Sequence, residues 1–206
     1  MIHDALRLIL NQLNRKLPSS GDGYSVVLGN IASADAGGES NGGAAATDLS
    51  RVVLSLVNVS EDHALKNGPR HRHEGGRVVY ENRPVNLHLF LLFSANNTVY
   101  ATAIKQLARV IEFFQGQNIF TVRNSPDLTE ISASPEELAG IRIIMELQSL
   151  TFEQVNHLWG SLGGKQVPFV LYRARLVSLT ASEIEGTGAP INDIAINTST
   201  TTWAPQ

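Results

Sequence analysis

Along residues 2–17, Ile2, Leu6, Ile9, Leu13 and Leu17 recur at three- and four-residue steps, the spacing of one face of an α-helix. Pro18 predicts its end. Residues 24–31, with β-branched Val26 and Val27, read as a strand. Over 51–61 the period changes to two: Val53, Ser55, Val57 and Val59 share one face, and Val52, Leu54 and Leu56 the other. Both faces are largely apolar, which predicts a central strand. Residues 68–76 are polar and turn-rich and read as a solvated loop, 78–80 as a short strand, and 85–93 as a second long central strand.

The helical period returns over 99–115, where Ala103, Leu107, Val110, Ile111 and Phe114 mark the expected buried face and Asn97 or Thr98 can cap. Residues 119–122 read as a short strand, and Ser134-Pro-Glu-Glu137 as a helix start that stops at Gly140. Ile141, Ile143, Met145 and Leu147 then alternate as in a strand. Thr151-Phe-Glu-Gln154 is a capping box, with Leu150 and Val155 at the staple positions. The helix that follows is expected to bury Phe152, Val155, Leu158, Trp159 and Leu162 and to end at Gly163-Gly164 through a left-handed cap. Residues 168–179 complete the pattern as a strand. Strands come in runs rather than in regular alternation with helices. This predicts an α+β domain, a mixed or mainly antiparallel sheet flanked by helices, over residues 1–179.

Two stretches do not fit a core. Residues 34–46 are almost wholly Gly, Ala, Ser, Asn, Asp and Glu and read as a flexible loop, not a phosphate cradle, because a strand-like run rather than Gly-Lys-Ser/Thr and a helix follows. Residues 180–206 read as an extended C-terminal arm. The chain has 16 basic and 19 acidic residues among its 206, yet no Lys or Arg follows Arg175, so the arm carries the whole net charge of −3. A near-neutral body argues against a protein that binds nucleic acid through its phosphates. The absence of cysteine removes disulfides, thiol catalysis and Cys-based zinc. No apolar run reaches the ~20 residues that span a bilayer, and Asp4, Arg7 and Asn11 break up a secretory pattern.

The candidate chemistry is sparse. His71 and His73 lie two apart near His63 and Glu74, which no standard zinc spacing matches. A small metal-dependent enzyme built on that loop is one alternative, and a plain adaptor module is another. His88 inside an apolar strand and His157 beside Trp159 read as packed or hydrogen-bonded histidines rather than bases. Glu61 and Asp62 read as a solvated strand end. No nucleophile elbow occurs, and Gly164-Lys165-Gln166 is not a phosphate loop. No catalytic, cofactor or metal residue is expected.

Phe152-Glu-Gln-Val-Asn-His-Leu-Trp-Gly160, Leu162-Gly-Gly-Lys165 and Pro168-Phe-Val-Leu-Tyr-Arg-Ala-Arg-Leu-Val177 carry a resemblance, in order with Val26-Val-Leu-Gly-Asn-Ile31, Val53-Leu-Ser-Leu-Val-Asn-Val59, residues 61–67, Val79-Tyr-Glu-Asn82, residues 87–96 and Val110-Ile-Glu-Phe-Phe-Gln115. Together they resemble the cap, or tail terminator, proteins of extracellular contractile injection systems of the antifeeding-prophage and virulence-cassette kind. The resemblance implies a non-enzymatic, tail-terminator-like fold without cofactor, forming a homohexameric ring that ends growth of inner tube and sheath. Its partners would be its own copies and the sheath and inner-tube subunits, with neither nucleic acid nor membrane insertion. It would be cytoplasmic during assembly and then part of a released particle. Within the arm, Ile191, Ile194, Ile196 and Trp203 are the expected interface residues, on a Thr-rich segment suited to strand addition onto a neighbouring subunit.

Overall fold

The N-terminal periodicity becomes helix α1, Ile2–Lys16, whose Leu6, Ile9 and Leu13 are buried as the pattern requires. The computed structural model describes residues 2–17, 25–33, 51–63, 71–74, 77–81, 85–125, 127–132, Leu138, 140–179 and 184–188. The expected Gly/Ala loop 34–46 and the helix start at 134–137 lie outside them.

The strands are β1 (Val26–Leu28), β2 (Val52–Glu61), β3 (His71–Glu74), β4 (Arg77–Glu81), β5 (Val85–Ala95), β6 (Ile119–Thr121), β7 (Arg142–Leu147), β8 (Phe169–Leu179) and β9 (Ile184–Gly188). Two further helices are described, α2 (Tyr100–Gly116) and α3 (Phe152–Ser161). The first six-stranded sheet runs β1-β2-β5-β8-β7-β6. Among the described residues only β1 and β2 pair in parallel; the other neighbours are antiparallel, so the sheet is mixed and the fold α+β. The predicted centrality of β2 and β5 follows from their two-faced apolar sequence, and each has a neighbour on both sides.

Alternation along these strands sends side chains to two cores. Val52 and Leu54, Leu89, Leu91 and Phe93, Ile143 and Met145, and Tyr172 and Ala174 join α1 and α2 on one face. Val53, Leu92 and Leu171 join Trp159 of α3 and Ile31 on the other. Helices therefore cover both faces of this sheet. The Thr151 cap forms as the sequence predicts. The Gln154 N–H donates to Thr151 Oγ1 at 3.3 Å, and Gln154 Oε1 accepts from the Thr151 N–H at 3.0 Å. Such a cap contributes about 1 kcal/mol. Gly163 and Gly164 end the helix at φ 103° and 82°, backbone that a side chain would strain.

Several expectations are corrected. The first strand stops at Leu28 rather than Ile31, because Ser55 reaches across: its Oγ donates to Gly29 O at 2.7 Å and accepts from the Ile31 N–H at 3.1 Å. Those groups turn into a 3-10 turn, Ile31–Ser33, instead of continuing a ladder. In β2 the register slips between Leu56 and Asn58, so the alternation read from the sequence does not persist through the strand. Asn97 does not cap α2; its Oδ1 accepts from Val99 N–H, and Val99 is the N-cap. Ile111 is exposed, and Phe113 takes a place on the buried face instead.

Residues 71–74, expected as loop, are a strand. β3 pairs antiparallel with β4, from His71↔Tyr80 to Glu74↔Arg77. Main-chain pairing makes this strand, and it needs no apolar alternation. Residues 184–188, from the expected arm, are β9 and pair antiparallel with β4 of the same chain. These three strands belong to a second compact unit, separate from the unit that holds the six-stranded sheet.

Candidate functional site

Cross-strand register builds a charged row on the six-stranded sheet, on the face that carries Leu92 and Leu171. His88 on β5 stands opposite Arg175 on β8, and Glu146 on β7 opposite Arg173. Asp62, just past β2, is held by its N–H donating to Asn86 O at 2.8 Å. Its carboxylate lies 3.3 Å from His88 Nε2 and 3.9 Å from Arg175 Nε, and its side chain is 11% exposed. Asp62 is thus no solvated strand end. Arg175 also approaches Glu146 Oε1 at 3.7 Å, and Arg173 Nε donates to Glu146 Oε2 at 3.1 Å. Asp62 lies between His88 and Arg175, and Glu146 between Arg175 and Arg173, which ties four strands together. Among the described residues no three His, Cys, Asp or Glu side chains are placed to hold a metal.

The Arg173 hydrogen bond, followed by the coulombic pull of Arg173 and Arg175, holds the Glu146 carboxyl below the usual glutamate range against the opposing effect of burial. A depressed folded-state pKa contributes stability above the unfolded value and loses it as pH falls through the folded one. Glu146→Gln should therefore destabilise modestly at neutral pH. In urea titrations the gap from the parent should close as the pH falls below the usual glutamate range. A gap that is constant from neutral to acid pH would show that the Arg173 pair is not its source.

A second feature is apolar. On α2, Tyr100, Ile104 and Ile111 fall on one line of the helical wheel, all exposed, with Tyr100 at 70%. Directly beside this line, α2 buries Ala103, Leu107, Val110 and Phe114. The apolar face of α2 is thus wider than the part that is buried, and the sequence count placed Ile111 within the buried part when it lies on the exposed flank. On α3, Phe152 shares the face of Trp159 two turns away, yet it is 96% exposed while Trp159 is 4% exposed. The apolar face of α3 runs past the strands that cover it, correcting the expectation that Phe152 is buried. His157 is exposed on the same helix. Leu147, in phase with the buried Ile143 and Met145, is also exposed at the end of β7.

The other sequence candidates resolve as follows. Ile191, Ile194, Ile196 and Trp203 lie outside the described residues. His71 and His73 lie on β3, and their side chains are outside what the structure describes. His88 is partner-bonded, as expected.

The fold is similar to that of two solved proteins, one named as a sheath/tube terminator and one as a tube terminating cap. One solved chain, from "an Extracellular Contractile Injection System, PVC sheath/tube terminator in extended state", matches with TM-score 0.60 and 14% identity over 100% of this chain and 66% of that one. A second, the "anti-feeding prophage cap (AFP tube terminating cap)", matches with TM-score 0.51 and 13% identity over 72% of this chain and 49% of that one. The chain spans less than two thirds of either. A comparison with curated proteins finds no match. Residues 4–193 match the family model of the Pvc16 N-terminal domain, and the chain belongs to that family.

Proposed function

We propose that this chain is a structural terminator of a contractile injection particle, stopping growth of its inner tube and sheath. The observation that carries the reading is the family match over residues 4–193, reinforced by the same fold in two proteins named as terminator and cap. The reading is non-enzymatic, with the charged row of the sheet as a cross-strand tie. A terminator must match a polymer end on one side and offer no further template on the other, which a closed ring of heterologous contacts achieves. We place six copies in that ring, with sheath and tube subunits as the other partners, assembled in the cytoplasm and carried away with the particle.

Exposed apolar surface supports a ring made of copies of this chain. The outward stripe of α2, Tyr100, Ile104 and Ile111, is the surface we assign to the neighbouring copy. Ile191, Ile194, Ile196 and Trp203 are proposed as contacts to sheath or a neighbouring copy through the arm. The test is a Tyr100→Glu/Ile104→Glu double variant expressed with the remaining particle genes. Both side chains are exposed, so circular dichroism and thermal melting should be unchanged. Ring formation by native mass measurement should be lost, and negative-stain images should show particles of uncontrolled length. Particles of parental length capped by this variant would remove α2 from the interface. Uncontrolled length being absent even when the whole chain is deleted would remove the terminator reading.

A further inference from the structure

The two outermost strands of the six-stranded sheet have three residues each, and at each an asparagine side chain sits where a further strand would bond. At β1, the Val52 N–H donates to Ser25 O at 3.3 Å and the Gly29 N–H to Leu54 O at 3.0 Å. In a parallel pairing, this turns Ser25, Val27 and Gly29 toward β2 and leaves the main-chain groups of Val26 and Leu28 facing away. Asn14 of α1 takes both groups of Val26. Its Oδ1 accepts from the Val26 N–H at 2.8 Å, and its Nδ2 donates to Val26 O at 2.9 Å.

The opposite edge repeats the arrangement with other residues. The Met145 N–H donates to Asn118 O at 2.8 Å, so Ile119↔Ile144 is a non-hydrogen-bonded pair and Phe120↔Ile143 the bonded one. The main-chain groups of Ile119 and Thr121 therefore face outward. Asn124 bridges them: Nδ2 donates to Ile119 O at 2.8 Å, and Oδ1 accepts from the Thr121 N–H at 2.8 Å. A carboxamide presents one donor and one acceptor side by side, as a peptide group does. Each asparagine thus takes up one outward donor and one outward acceptor that an incoming strand would use.

We propose that Asn14 and Asn124 are edge locks, which stop a second copy of this chain from adding its own edge strand to this sheet. Unpaired edges are templates for strand addition, and proteins close them by short strands, charge, bulges or cover. Here the cover comes from two side chains, one on a core helix and one in the 3-10 turn Val122–Asn124. The inference concerns the sheet edges alone and does not rest on the terminator reading.

Asn14→Ala, Asn124→Ala and the double variant test it in the otherwise complete chain. Amide hydrogen exchange by NMR reads the locks, and light scattering with infrared spectroscopy over a concentration series reads strand addition. In the parent chain, the Val26 and Thr121 amides should be protected although they face away from the sheet. In Asn124→Ala, the Thr121 amide should exchange at least about tenfold faster, while that of Phe120, which bonds inward to β7, is unchanged. The Val26 amide should respond in the same way to Asn14→Ala. The double variant should associate beyond the parental state, with an added intermolecular β signal. Parental Val26 and Thr121 amides that exchange as freely as those of exposed loops would overturn the proposal without any variant. An association state unchanged in the double variant would overturn it as well, whatever the exchange rates.

Discussion

Phe93→Ala should lower the unfolding free energy by about 3–5 kcal/mol, the range for truncating a buried aromatic. Phe93 is fully buried near the C-terminal end of β5. Its ring meets Phe114 at 5.3 Å and Tyr172 at 5.8 Å, both edge-on, and Phe114 in turn meets Tyr172 at 4.6 Å and Phe120 at 5.9 Å. The cluster links α2 to β5, β6 and β8, so the cavity has walls on several elements that cannot collapse together. Burial also holds the Tyr172 hydroxyl above the usual tyrosine range. A native stability of about 5–15 kcal/mol leaves little margin for such a loss. The urea midpoint should fall with an unchanged slope. A loss below about 1 kcal/mol would mean that the aromatic cluster is not the packing centre of this face.

Trp159→Ala should cost about 3 kcal/mol or more on the opposite face. Trp159 is the one buried side chain of α3, and its ring meets Phe169 at 5.4 Å. The smaller cluster it joins holds Ile31, Val53, Leu92 and Leu171, so the tryptophan is a large share of that core. Phe152→Ala on the same helix is the matched control. Its side chain lies in solvent, and the change should stay within about 0.5 kcal/mol. The reverse ranking in urea denaturation would mean that α3 packs through its N-terminal end.

Sequence pattern alone located α1, β2, β5, α2, β8 and α3, because each depends on a local signal: helical spacing, two-faced alternation or a capping box. What it missed depends on partners distant in the chain. His71-Arg-His-Glu74 has no apolar alternation and is a strand only because β4 pairs with it, although Gly75-Gly76 between them in sequence is a recognised hairpin signal. The parity of Ile111 and the exposure of Phe152 could not be read either. An apolar residue on a helix carries no mark of whether strands of the same chain reach far enough to cover it. The charged row was invisible for the same reason. Asp62, His88, Glu146 and Arg175 are neighbours only through the register of β5, β7 and β8. Asn14 and Asn124 have no special pattern, since their partners are main-chain groups.

The strand order also sets a timetable for synthesis. β8 fills the centre of the six-stranded sheet between β5 and β7, yet it is the last of the six strands along the chain. Leu91 pairs with Tyr172, about 80 positions later. At the ~5–20 residues per second of translation, β5 waits roughly 4–16 s for its partner. During that interval the edges that β8 will join, on β5 and on β7, lack their native partner, and neither is a position that Asn14 or Asn124 guards. Contacts of such long sequence separation also slow the search for the native sheet. The molecule is therefore most vulnerable to wrong pairing as a nascent chain, before its last central strand has emerged.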